Sequence, residues 1–89
     1  MEQVRKQYVF TGRVQGVGFR YTAQYLAQHL GITGWVKNEW DGSVVMEAQG
    51  TQEMLEELVR KLQMRNFSRV DYVAELTIPT VSEYGFHVR

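Results

Sequence analysis

Two stretches of helical periodicity, each set between stretches of strand periodicity, constrain this chain more than any other feature. Phe19, Ala23, Leu26, Ala27 and Leu30 recur at a spacing of four, three, one and three, and Leu55, Leu58, Val59 and Leu62 stand at i, i+3, i+4 and i+7. Each set lines one face of a helix. Gly31 is suited to end the first helix and Thr51 to cap the second, with Glu53 complementing its positive end.

The strands are read from β-branched and aromatic residues. Val4, Tyr8, Val9, Phe10, Thr11 and Val14 predict a first strand near residues 5 to 13. Ile32 to Lys37 reads as a second strand, and Val44, Met46 and Ala48 alternate with Ser43, Val45, Glu47 and Gln49 in a third. Between them, Asn38-Glu39-Trp40-Asp41-Gly42 ends in an Asp-Gly pair that tolerates the positive φ of tight turns, so these strands are expected to be antiparallel neighbours. After Arg65-Asn66-Phe67-Ser68, alternating Val70, Tyr72, Ala74 and Leu76 form a fourth strand, Pro79 breaks it, and Phe86 and Val88 mark a short last one. The order is βαββαβ with one added C-terminal strand. Two helices separated by a hairpin belong on one face of a mostly antiparallel sheet, which is an α+β, ferredoxin-like two-layer sandwich. With 89 residues and no repeat, linker or low-complexity stretch, residues 1–89 are expected to form a single domain.

That architecture supports many activities, so function has to be read from sites. Ten Lys plus Arg balance ten Asp plus Glu, leaving no global field to draw nucleic acid or an anionic membrane. An anion must then be caught by a local arrangement. The absence of cysteine removes disulfides, thiolate nucleophiles and Cys-ligated zinc, and fits a reducing compartment, so a cytoplasmic location is expected. No run approaches the roughly 18 apolar residues of a membrane helix, and the first residues carry no apolar leader segment.

Other chemistries find little support. His29 and His87 have no ligand partners at a recognisable spacing, so they are expected at the surface, and neither a metal nor a cofactor is expected. Glu47, Asp71 and Glu75 occupy strand positions between apolar residues and are expected to face solvent. Tyr8 and Phe10 on a central strand are placed like the base-stacking platform of RNA-binding domains with this fold. The third strand, however, lacks the basic-glycine-aromatic pattern of that platform, so no nucleic-acid partner is expected.

The segment Gly12-Arg13-Val14-Gln15-Gly16-Val17-Gly18-Phe19-Arg20 lies between the first strand and the first helix. Glycines at 16 and 18 let the backbone adopt angles other residues resist and let an anion approach the main chain. Successive N–H groups there can form a nest to which the helix N-terminus adds partial positive charge. Arg20, in the first helical turn, can add a full charge on a bidentate fork. The nucleotide-binding P-loop is excluded, because Gly18-Phe19-Arg20 is not Gly-Lys-Ser/Thr. The dinucleotide fingerprint is excluded as well, because Tyr21 stands where a third glycine is needed.

The run from Gly12 to Arg20 closely resembles the first signature of the acylphosphatase family, and Gly34-Trp35-Val36-Lys37-Asn38-Glu39-Trp40-Asp41-Gly42-Ser43-Val44 through Gly50 resembles its second. The resemblance covers the whole chain. It departs in Thr51, which follows Gly50 where many relatives have proline, and in Trp40 at a variable hairpin position. It implies an enzyme that hydrolyses the carboxyl-phosphate bond of small-molecule acyl phosphates to a carboxylate and inorganic phosphate; a monomer is expected. It implies that Gln15, Gly16, Val17, Gly18 and Phe19 hold the substrate, that Arg20 binds the phosphate, and that Asn38 positions the attacking water. The alternative is an accessory module, since similar domains form the N-terminal part of larger carbamoyl-transferring maturation factors for hydrogenases.

Overall fold

A computed structural model of the protein describes residues 2–65 and 68–89. The expected Asn66 and Phe67 connection falls outside the described residues. In chain order the elements are β1 (Val4–Arg13), α1 (Phe19–Leu30), β2 (Thr33–Asn38), β3 (Val44–Gly50), α2 (Gln52–Gln63), β4 (Arg69–Ile78) and β5 (Phe86–Val88). The sheet order is β4-β1-β3-β2-β5. All pairings are antiparallel except that of β5 with β2, and both helices pack on one face.

The helical sets bury as their spacing requires. Phe19, Ala23 and Ala27 of α1 and Leu55, Leu58 and Leu62 of α2 meet Phe10 of β1, Val36 of β2, Val44, Met46 and Ala48 of β3, and Phe86 of β5. Burial of each large side chain contributes about 1.5–3 kcal/mol. Gly31 ends α1 at φ 71°: its N–H donates to Gln28 at 3.3 Å while the Ile32 N–H donates to Ala27 at 2.8 Å, satisfying carbonyls the helix leaves open. Tyr8 and Phe10 point into this core at 2% and 0% exposure, so neither ring is free to stack on a base.

Two expectations change. The alternating residues of β4 do not share a face, because β1 and β4 slip register between Thr11 and Gly12: Thr11 pairs with Tyr72 but Gly12 with Val70. Asp71 is the extra residue of a bulge, which rotates the strand about its axis. Val70 and Val73 therefore pack toward the helices, while Tyr72, Ala74 and Leu76 lie opposite Thr11, Val9 and Gln7 on the other face. Glu47 is also not simply solvent-facing. Its side chain is only 21% exposed and receives hydrogen bonds from Arg5 at 3.0 and 3.1 Å. Asp71 and Glu75 do lie at the surface, paired with Arg69 and Lys6.

Candidate active site

The β1–α1 loop owes its shape to its glycines. Gly16 and Gly18 sit at φ 73° and 76°, and a Cβ at either would meet open space, so these residues serve backbone conformation and not close packing. Val14 before them and Phe19 after them are buried, which anchors the loop at both ends.

The two helix N-termini differ. Thr51 caps α2, its side chain accepting from the Met54 N–H at 3.2 Å. Gly18 begins α1 with no side chain to do this. The first intrahelical bond runs from the Thr22 N–H to the Gly18 carbonyl at 3.1 Å, so the N–H groups of Phe19, Arg20 and Tyr21 have no acceptor within the helix. Such a terminus favours an anion.

Asn38 comes from the neighbouring hairpin. It is the last residue of β2, paired with Val44, and so lies on the rigid end of a strand instead of in the turn. Its Oδ1 is buried without a hydrogen-bond partner among the described residues. An orphaned buried acceptor is costly, and the usual remedy is a water or ligand donor.

Gln15 ties the two parts together. Its Nε2 donates to the carbonyls of Glu39 at 2.7 Å and Ser43 at 2.8 Å, both in the β2–β3 turn. The turn is itself closed by Glu39 N–H to Ser43 O at 2.9 Å, and the Asp41 carboxylate accepts from the Ser43 hydroxyl at 2.7 Å and amide at 2.9 Å. These donors hold the Asp41 carboxyl below its ordinary range, the hydroxyl contributing most.

A cavity of about 90 Å³ lies where loop and hairpin meet, lined by Val14, Gly16, Gly18, Phe19, Arg20, Tyr21 and Asn38. One water needs roughly 10–15 Å³ by a comparable measure, so there is room for a small anion and a water. Of the residues expected at the site, Gly16, Gly18, Phe19, Arg20 and Asn38 line this cavity. Gln15 and Val17 do not: the Gln15 side chain is spent on the hairpin, and Val17 packs against the core. The Arg20 guanidinium donates to the main-chain oxygen of Arg89 at 2.8 Å, and among the described residues no Asp or Glu side chain forms a salt bridge with it.

Sequence reading missed Val14 and Tyr21 in the lining and the Arg89 main-chain oxygen beside Arg20. Tyr21 could have been found as Arg20's neighbour in the helix's first turn. Arg89 could not, since its place depends on its N–H pairing with the Val36 carbonyl at 2.8 Å. His29 and His87 are exposed, and among the described residues no three His, Cys, Asp or Glu side chains cluster as metal ligands. No helix among those residues is long and apolar enough to cross a membrane.

Known proteins share the sequence pattern and the fold. A family model described as Acylphosphatase matches residues 6–88. An acylphosphatase from Bifidobacterium longum is 47% identical over 81 residues, covering 90% of this chain and 84% of the relative. One from Lactobacillus gasseri is 49% identical over 73 residues, covering 82% and 79%. The crystal structure of acylphosphatase from Bacillus subtilis superposes with a TM-score of 0.91 at 32% identity, over 97% of this chain and 98% of that one. An acylphosphatase structure from Coxiella burnetii gives 0.91 at 31%, over 98% and 93%. Sequence similarity along nearly the whole chain and superposition of the whole fold agree: the chain belongs to the acylphosphatase family.

Proposed function

We propose that this chain hydrolyses acyl phosphates to a carboxylate and inorganic phosphate, and that the Gln15–Arg20 loop and Asn38 perform the reaction. The observation that carries this reading is the single cavity lined by Gly16, Gly18, Arg20 and the unpartnered Asn38 acceptor. Loop N–H groups and the Arg20 fork would hold the three phosphoryl oxygens, and their grip would strengthen as charge shifts in the transition state. Asn38 Oδ1 would accept a hydrogen bond from a water and aim its lone pair at phosphorus. As the water's P–O bond forms, the P–O bond to the acyl group breaks and its electron pair leaves on the carboxylate. A carboxylate departs without strong acid assistance, so positioning and charge stabilisation suffice.

Among the described residues, no Asp, Glu or His side chain lines the cavity. The water's proton would therefore pass to a phosphoryl oxygen of the substrate, and Asn38 would act without titrating. An activity profile that required an ionised protein base near neutral pH would count against this step.

The test is turnover of a simple aromatic acyl phosphate with a chelator present. Wild type should hydrolyse it, and Arg20→Ala and Asn38→Ala should each lose on the order of 10²-fold or more in kcat, as on removal of one oxyanion donor. Folded variants that both keep full activity would overturn the assignment. The same reading makes residues 1–89 one catalytic domain acting as a cytoplasmic monomer. The absence of cysteine fits a reducing compartment; cell fractionation tests the location and sedimentation tests the monomer.

A further inference from the structure

Val17 stands between two glycines at positive φ, each with open space around it. A peptide unit beside glycine can flip at low cost, because both orientations are sterically open. A loop that binds an anion through its N–H groups needs something to choose one orientation.

Arg65 lies just beyond α2, 48 residues away in sequence, and its Nη2 donates to the Val17 carbonyl at 3.3 Å. A trans peptide points its carbonyl and its N–H in opposite directions. With the Val17 carbonyl turned toward Arg65, the Gly18 N–H of the same peptide unit is turned away from it. Gly18 lines the cavity and Arg65 does not. We infer that Arg65 is a positioning residue for the phosphate loop, holding the Val17–Gly18 peptide so that the Gly18 N–H faces the bound phosphoryl group.

Charge adds to orientation. Among the described residues no carboxylate forms a salt bridge with Arg65, and its Nη1 is buried without a partner. A buried donor nitrogen left unpaired is costly, and a phosphoryl dianion across one peptide unit would be attracted to the guanidinium charge. The donated bond also polarises the peptide, making the Gly18 N–H a better donor. Arg65 touches no reacting atom; it acts through Gly18. The inference rests on the cavity being the phosphoryl site proposed above.

The experiment compares wild type, Arg65→Met and Arg65→Lys. Its readouts are the Gly18 amide resonance of the free protein, the inhibition constant of inorganic phosphate, and kcat and KM for an aromatic acyl phosphate. Arg65→Met should shift the Gly18 amide and weaken phosphate about tenfold, the low end for a hydrogen bond to a charged group. KM should rise by a similar factor and kcat fall less. Arg65→Lys, which can still donate to the carbonyl, should recover most of both. Arg65→Ala serves if Arg65→Met does not fold. An unmoved Gly18 amide with unchanged phosphate inhibition would overturn the inference, and so would a lysine variant no better than methionine. Wild-type protein that turned over no acyl phosphate would overturn the hydrolytic reading instead, whereas the Gly18 amide of the free protein reads Arg65 without substrate.

Discussion

Arg5, near the start of β1, and Arg20, beyond its end, are the same side chain given opposite surroundings. Arg5 is 3% exposed and its fork is filled by the chain: Nε and Nη2 donate to Glu47, and Nη1 to Gln49 at 3.4 Å and to Glu83. Burial alone would lower its pKa, but the bonds and charges of Glu83 and Glu47 outweigh that and leave it raised. Gln49 extends the cluster through two bonds to the Val81 backbone, at 2.8 and 2.9 Å, which fastens the segment after β4 to the sheet. Arg20 donates to the main-chain oxygen of Arg89 and, among the described residues, has no Asp or Glu side chain as a salt-bridge partner, and Asn38 Oδ1, which lines the same cavity, has no hydrogen-bond partner there. An arginine whose carboxylates come from its own chain holds structure. One with no acidic side chain beside it is, on the function proposed above, left to meet a ligand's charge.

The largest effect that could break this contrast is at Arg5. Arg5→Met would strand Glu47 and Glu83 and should destabilise the fold by about 3 kcal/mol, the low end for stripping one partner from a buried pair, since both acids keep some contact with water. That is a fall in Tm of roughly 12–24 °C by calorimetry. The fraction that remains folded should turn over substrate at close to the wild-type rate; a large loss of kcat at intact structure would show the two clusters are not separable.

Inorganic phosphate should sharpen it from the other side. At 100 times its Kd, phosphate should stabilise the wild type by about 2.7 kcal/mol. Thermal scans should show the same increment in Arg5→Met and almost none in Arg20→Ala. Equal stabilisation of all three would place phosphate elsewhere.

The smallest effect concerns the turn that carries Gln15's two acceptors. The Asp41 carboxyl is held low by Ser43, so the stability it contributes is present above the unfolded value of about 3.9 and lost as pH falls through the lower folded value. Hydrogen exchange should show the 39–43 turn opening earlier in acid than β2 and β3. Asp41→Asn should remove that pH dependence with little change at neutral pH; an unchanged acid profile would assign the effect to other groups.

How much of this was legible in the sequence depended on the range of the interaction. The α1 and α2 faces were readable because residues three and four apart share a side of a helix. The glycine loop was readable because positive φ selects glycine residue by residue. The bulge opposite Gly12 was not readable, and it moved Tyr72, Ala74 and Leu76 to the face away from the helices. Nor was the pairing of Glu47 with Arg5 readable, since only the β1–β3 register brings these residues together across 42 positions.

By itself the sequence determined the elements and the glycine loop between β1 and α1, because helix spacing, turn chemistry and backbone freedom are local properties written in neighbouring residues. Only the tertiary structure decided which groups complete the site. Asn38 reaches the loop because β2 lies beside β3 and Gln15 ties the turn down, and Arg65 reaches Val17 because α2 ends beside the loop. Strand order, register and helix packing set those distances, and they are settled by the energy of the whole core.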